Sequence, residues 1–101
     1  MINRGSTPTH KFTFPLNFTD MEKITITYRQ LDQVIKKTLP DVKFEEGCLI
    51  CKLSQQETMS LLDNDGFDVE IQVKCKDKSG NIKVSNILKV DVGRLLDEEL
   101  M

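Results

Sequence analysis

Alternation of apolar and polar residues runs through much of this chain and constrains its fold more than any other feature. It is clearest at residues 69–76, where apolar and polar side chains fall on opposite faces. The apolar face consists of Val69, Ile71, Val73 and Cys75. A period of two residues is typical of half-buried β-strands, because successive side chains point to opposite faces of a sheet. The pattern therefore predicts a protein built from strands.

The residues that follow predict a β-hairpin spanning residues 69–92. A turn cluster at 77–80 contains Gly80, which can take a positive φ angle. The apolar row is predicted to continue inward through Ile82, Val84, Leu88, Val90 and Val92. A loop of two or four residues places Cys75 opposite Ile82, whereas a one-residue slip would place it opposite Lys83. Asn86 interrupts the row, which predicts a bulge or a buried, hydrogen-bonded amide there.

Two further strands are predicted in the first half of the chain. Residues 11–14 alternate and end at Pro15, which cannot donate a ladder hydrogen bond and so indicates an edge strand. Residues 22–29 alternate with Ile24, Ile26 and Tyr28 on one face. A turn at 30–33 then leads into residues 34–39, for which we favour a strand and keep a helix as the alternative.

The middle of the chain predicts a strand followed by a short helical segment. In the strand at 48–53, the side chains of Leu49, Cys51 and Leu53 are expected to face the core. Ser54 and Glu57 then match a capping box, which predicts one helical turn or a short helix from Gln55 to Leu61. That helix is expected to place Met59 or Leu62 beneath the sheet.

These elements together predict an all-β fold. With about six to seven strands and one short helical turn, an immunoglobulin-like β-sandwich is the leading arrangement. The length of 101 residues suits a single domain. We expect that domain to carry a short N-terminal arm at residues 1–9 and a C-terminal tail at residues 94–101.

Charge and hydropathy disfavour two classes of partner. The formal net charge is −2, and no basic stripe interleaved with aromatic residues is present, so nucleic acid is not expected. Residues 1–40 carry six Lys/Arg against three Asp/Glu, while residues 41–101 carry eight against thirteen, an asymmetry that can steer docking. No apolar stretch approaches the roughly 20 residues that span a bilayer. Without a secretory signal pattern, we expect the chain to be cytosolic when it is made.

The residues that could carry chemistry do not form a recognisable catalytic or metal site. His10 is the only histidine, and we interpret it as an exposed loop or edge residue. Cys48 and Cys51 lie within a strand, so their thiols should point to opposite faces and stay reduced, as should Cys75. The acidic segment at 63–68 lacks the bidentate Glu of a calcium loop and is interpreted as a turn. We predict no enzyme activity, no cofactor and no metal.

The two ends of the chain are the predicted sites of partner contact. The N-terminal segment is polar and prone to extended structure, and the last residues carry several leucines. An apolar tail can dock on a neighbour by strand addition or as a short helix. The candidate contact residues are Arg4, Thr7, Pro8, Arg94, Leu95 and Leu96.

Five segments stand out: RGSTPTHKF near the start, TITYRQ and LSQQET in the middle, and VEIQVK and SNILKVDVGRLL towards the end. Together they resemble small proteins encoded among the structural genes of bacterial prophages. The resemblance implies a β-sandwich with a role in a phage particle or its assembly, and it brings no catalytic residues. Other phage structural proteins are the implied partners, with self-association as an option.

Two functional hypotheses follow from the sequence. The first is a non-enzymatic structural or assembly protein of a phage, present in the host cytoplasm during assembly and then in the virion. The alternative is a small binding module, such as a receptor- or carbohydrate-binding domain of the baseplate type.

Overall fold

β-Strands account for most of the residues that the computed structural model describes, namely 1–13, 21–39, 41–45, 48–62 and 67–93. The strands are β1 (Ile2–Asn3), β2 (Thr9–Thr13), β3 (Met21–Gln30), β4 (Gln33–Thr38), β5 (Val42–Glu45), β6 (Cys48–Lys52), β7 (Val69–Asp77), β8 (Ile82–Val84), β9 (Leu88–Val90) and β10 (Val92–Gly93). Within the described ranges there is one short helix, α1 (Gln55–Met59), which lies between β6 and β7. The predicted all-β class is confirmed.

The strands form three sheets. One has three antiparallel strands in the order β2-β6-β5. The largest has the order β4-β3-β7, with both β8 and β9 antiparallel to the far side of β7. The short strands β1 and β10 pair in parallel, which joins the two ends of the described chain.

The three-stranded and five-stranded sheets contribute to one hydrophobic core. The fully or nearly fully buried apolar side chains are Ile2, Ile24, Ile26, Tyr28, Ile35, Val42, Leu49, Cys51, Leu53, Leu61, Val69, Ile71, Val73 and Cys75. Three predicted inward rows, on β3, on β7 and on β6 with the residue after it, are therefore confirmed. Alternation identifies them because burial of one face favours apolar residues at every second position.

The predicted register of the hairpin beyond β7 is wrong by one residue. Cys75 lies opposite Lys83, and Lys74 lies opposite Val84, so the apolar side chains of β8 share the face of β7's lysines. The cause is a loop of three residues, since Asp77 and Asn81 close the hairpin and Gly80 has a φ of 89°. An odd loop of this kind, with glycine in the left-handed region, shifts the pairing by one position.

This shift leaves the apolar side chains of β8 outside the core, where Ile82 is 58% and Val84 51% exposed. The pairing changes again at β9, since Leu88 lies opposite Ile71 and Val90 opposite Val69. Leu88 is nevertheless 53% exposed, whereas Val90 and Val92 pack against the core. The strand pattern stops at residues 85–87, which agrees with the predicted interruption. Asn86 is exposed, so the alternative of a buried amide at that position is wrong.

The turn between β3 and β4 resolves the choice between strand and helix at residues 34–39. Gln30 pairs with Gln33, which leaves Leu31 and Asp32 as a two-residue loop. Leu31 takes a φ of 53° although it is not glycine. The preferred prediction of a strand is confirmed by β4, and the helical alternative is wrong.

The capping box at α1 forms as predicted. The Glu57 N–H donates to the Ser54 hydroxyl at 3.1 Å, and the Ser54 N–H donates to the Glu57 carboxylate at 2.8 Å. The helix nevertheless buries different residues from those expected. Thr58 and Leu61 are buried, whereas Leu62 is 46% exposed.

Candidate functional site

The N-terminal candidate contacts lie along the body of the domain. The Arg4 N–H donates to the Gly93 carbonyl at 3.2 Å, and its guanidinium donates to the Met59 carbonyl at 3.1 Å. The Pro8 carbonyl accepts from the Leu53 N–H at 3.0 Å, and Thr7 is exposed. The C-terminal candidates, Arg94, Leu95 and Leu96, lie outside the described residues.

A polar cluster between the two larger sheets brings together side chains that are far apart in the sequence. His10 on β2 and Cys51 on β6 are cross-strand partners, and Tyr28 approaches them from β3 of the other sheet. The His10 Nδ1 and the Tyr28 hydroxyl are 2.8 Å apart. His10 was expected to be an exposed loop or edge residue; it does lie on an edge strand, but it is half-buried. Its even spacing from Phe12, which packs against the core, is the signal that predicts this orientation.

Burial determines the protonation states of this cluster. It lowers the pKa of His10, with a smaller contribution from the positive N-terminus, and it raises the pKa values of Tyr28 and Cys51. All three groups are therefore neutral near pH 7. A neutral thiol is a poor nucleophile, and both Tyr28 and Cys51 are fully buried. The cluster is suited to joining the sheets rather than to reacting with a substrate.

The remaining chemistry-bearing residues form no metal-binding group among the residues described. Cys48, Cys51 and Cys75 are free thiols, and no cluster of three or more His, Cys, Asp or Glu in those parts of the chain could hold a metal ion. The acidic turn residues 63–66 lie outside the described residues.

One ion pair links α1 to the edge strand β4. The Lys37 ammonium and the Glu57 carboxylate are 2.7 Å apart, with both side chains mostly buried. Burial alone would raise the pKa of Glu57, but the hydrogen bonds from Lys37 and Ser54 outweigh it and the pKa is lowered. The pair therefore keeps the Glu57 carboxylate ionised at the start of the helix, where its negative charge also interacts favourably with the helix dipole.

An apolar groove of about 540 Å³ lies between the edges of the two larger sheets. Its first wall is residues 11–13 of β2, its floor contains Ile71 and Val73 of β7, and its second wall contains Lys83, Val84 and Leu88. Ser85 and Asn86 complete the lining. The register shift beyond β7 places Lys83 on the core side of β8. Sequence reasoning expected Ile82 and Val84 on that side and therefore missed the groove.

Both walls of the groove are sheet edges. Within the described residues, β2 pairs only with β6, and β8 and β9 pair only with β7. An edge strand presents backbone N–H and C=O groups that can pair with an added strand. Lys11 and Lys83 add positive charge, and none of the described residues that line the groove is acidic. The arrangement can accept an extended segment that carries apolar and acidic side chains.

No helix among the described residues is long and apolar enough to cross a membrane. Comparisons of the chain with protein-family models, with curated proteins and with solved structures found no match.

Proposed function

We propose that this protein is a non-enzymatic structural or assembly protein of a phage particle and acts through protein–protein contacts. The observation that carries the proposal is the row of exposed apolar side chains on an open sheet edge. Ile82, Val84, Ile87 and Leu88 are each more than half exposed within seven consecutive residues. Exposed apolar surface next to an unpaired strand edge is typical of a surface that binds another chain. The sequence resemblance to prophage-encoded proteins supports the phage particle as the setting.

The proposal includes an immunoglobulin-like β-sandwich as the scaffold, and the strand order supports it. If β1 to β8 correspond to strands A, B, C, C′, D, E, F and G, the three-stranded sheet has the order B-E-D. The other large sheet then has the order C′-C-F-G. These are the neighbours found in variable-type immunoglobulin domains. Such a scaffold presents its edges and loops to partners while the core stays closed.

The first test is the set of genes beside the one encoding this chain. Portal, capsid or tail genes are expected there, and a metabolic operon would contradict the phage setting. The second test follows the tagged chain through prophage induction. It should be recovered with particles or with an assembly intermediate, by immunoblot of density-gradient fractions.

A matched pair of variants makes the second test specific for the exposed edge. Val84→Lys with Leu88→Lys places charges on that edge and should abolish recovery with phage structural proteins. Val34→Lys, on the opposite edge strand β4 where Val34 is 44% exposed, should leave recovery unchanged. The proposal fails if the unmodified, folded chain binds none of the structural proteins, or if both variants behave alike.

A further inference from the structure

Beyond the groove between β2 and β8–β9, the chain continues from β9 into β10, where it adds a strand of its own. There, β1 lies beside β10 as an added parallel strand, and its Ile2 side chain is fully buried in the core. Beside β8 and β9, no described strand occupies the equivalent position. The chain therefore contains its own example of an edge strand that places an apolar side chain between the sheets.

The chemistry of the groove limits what can occupy it. Phe12 and Leu88 offer accessible apolar surface above the buried Ile71 and Val73, and Lys11 and Lys83 are exposed cations on opposite walls. An extended segment with leucines and carboxylates satisfies both features. Residues 94–101 have that composition, with Leu95, Leu96, Leu100 and Met101 beside Asp97, Glu98 and Glu99.

The same chain is poorly placed to fill its own groove. β9 runs from Leu88, which lines the groove, to Val90, whose partner Val69 lies beyond the lining residues. Gly93 is five residues past Leu88, which corresponds to about 17 Å of extended chain. Residues 94–101 of the same chain would use most of their length to run back from Gly93 to the groove. The same residues of another molecule can lie in the groove along their whole length.

We infer that the groove binds residues 94–101 of a second copy of this chain. The segment adds as an extended strand beside β8 and β9, its leucines contact Phe12 and Leu88, and its carboxylates pair with Lys11 and Lys83. This inference rests on the proposed function, because it names the partner for the exposed edge. Repeated in one direction, such a contact links copies head to tail, and it closes into a ring where the rotation between copies permits.

Two charge-reversal variants of the full chain test the inference. Lys11→Glu with Lys83→Glu alters the groove, and Asp97→Lys with Glu98→Lys and Glu99→Lys alters the segment. Light scattering after size exclusion should show concentration-dependent association of the unmodified chain. Each variant alone should associate roughly tenfold more weakly, which is the effect expected when exposed ion pairs become repulsive. Equimolar mixing of the two variants should restore association, because opposite charges then meet again.

A peptide of residues 94–101 provides the direct binding measurement. Fluorescence anisotropy should show binding to the segment variant, whose groove is unaltered, and weaker binding to the groove variant. Val34→Lys, on the far edge of the sheet, should bind as the unmodified chain does. All variants are first compared by circular dichroism and thermal unfolding, so that loss of fold is separated from loss of contact.

Three results would overturn the inference. They are a chain that stays monomeric at all concentrations, association that the groove variant does not weaken, and failure of mixing to restore it. In each case the proposed function stands if the chain still binds phage structural proteins. Binding to phage structural proteins is measured in a separate experiment on the unmodified chain, which does not use either charge-reversal variant.

Discussion

The buried polar side chain of Gln30 fixes the positions of two backbone segments in this small domain. Gln30 ends the inward row of β3, and its amide reaches the segment that follows α1. Its Nε2 donates to the carbonyls of Leu62 and Phe67 at 2.7 and 2.6 Å, and its Oε1 accepts from the Leu62 N–H at 2.6 Å. One side chain therefore satisfies three backbone groups on both sides of the acidic turn.

Replacing Gln30 by Met should destabilise the domain by at least about 2 kcal/mol, because the backbone groups it serves lose their partner. Gln33→Met is the matched control. Gln33 is its cross-strand partner but is exposed, so its loss should change stability by less than about 0.5 kcal/mol. Urea unfolding of both variants measures the difference, and equal losses would contradict the role given to Gln30.

Glu57 should make stability depend on pH in the acidic range. Its pKa in the folded chain is lowered from its ordinary value of 4.5, so its stabilising contribution is present above that value and is lost as pH falls through the folded pKa. Glu57→Gln keeps a capping side chain but removes the charge that pairs with Lys37. The stability difference between the unmodified chain and this variant should therefore be largest near pH 7 and shrink below about pH 4.

Chemical unfolding at a series of pH values measures this difference. Lys37→Met is the companion variant, since it removes the same ion pair from the other side and should reduce the pH dependence in parallel. A difference between Glu57→Gln and the unmodified chain that stays constant with pH would contradict the lowered pKa.

At the scale of elements, hairpin loops determine which faces of the strands are buried. The two-residue loop between β3 and β4 keeps Ile35 on the core side, opposite Tyr28. The three-residue loop after β7 instead places Ile82 on the face of β7's lysines, opposite Lys76. A change of one residue in loop length moves every side chain of a strand to the other face.

The loop between β3 and β4 carries backbone strain that a substitution can relieve. Leu31 has a φ of 53°, a region that disfavours side chains with a Cβ. Leu31→Gly should stabilise the domain by about 0.5–1 kcal/mol, after subtraction of the entropy that glycine gains in the unfolded chain. Leu31→Ala retains the Cβ and should bring no gain. Thermal unfolding of the two variants separates relief of strain from removal of an exposed leucine, and equal shifts would contradict strain as the cause.

At the scale of the whole molecule, the first and last described strands close the domain together. β1 and β10 pair over only two residues each, yet Ile2 is fully buried in the shared core. Gly93 leaves room for the Asn3 side chain, because a Cβ at that position would collide with the Asn3 Oδ1 unless that exposed side chain moved. The N-terminal residues therefore belong to the packed body of the domain.

Ile2→Ala should cost roughly 2–5 kcal/mol, as expected for truncation of a fully buried isoleucine. Ile82→Ala is the matched control, because the same substitution at a residue that is 58% exposed should cost less than about 0.5 kcal/mol. Denaturant midpoints measure both. If Ile82→Ala proved as costly as Ile2→Ala, the observed register of β7 and β8 would be contradicted.

The sequence by itself determined the all-β class, the capping box of α1 and the inward rows of β3, β6 and β7. Each depends on residues that are close in the chain, and alternation or a four-residue motif reports directly on local geometry. Such local signals do not predict the contact of His10 with Tyr28, because Tyr28 belongs to the facing sheet.

Only the tertiary structure decided the register beyond β7, the pairing of β1 with β10 and the groove between the sheet edges. The register depended on whether Gly80 adopts a positive φ in a three-residue loop, a choice that the apolar pattern on either side did not reveal. The parallel pairing of β1 with β10 joins residues about ninety positions apart, so no local pattern indicates it. The groove is lined by residues 11–13 and by residues 83–86 and 88, which are about seventy positions apart, so no local pattern indicates it either.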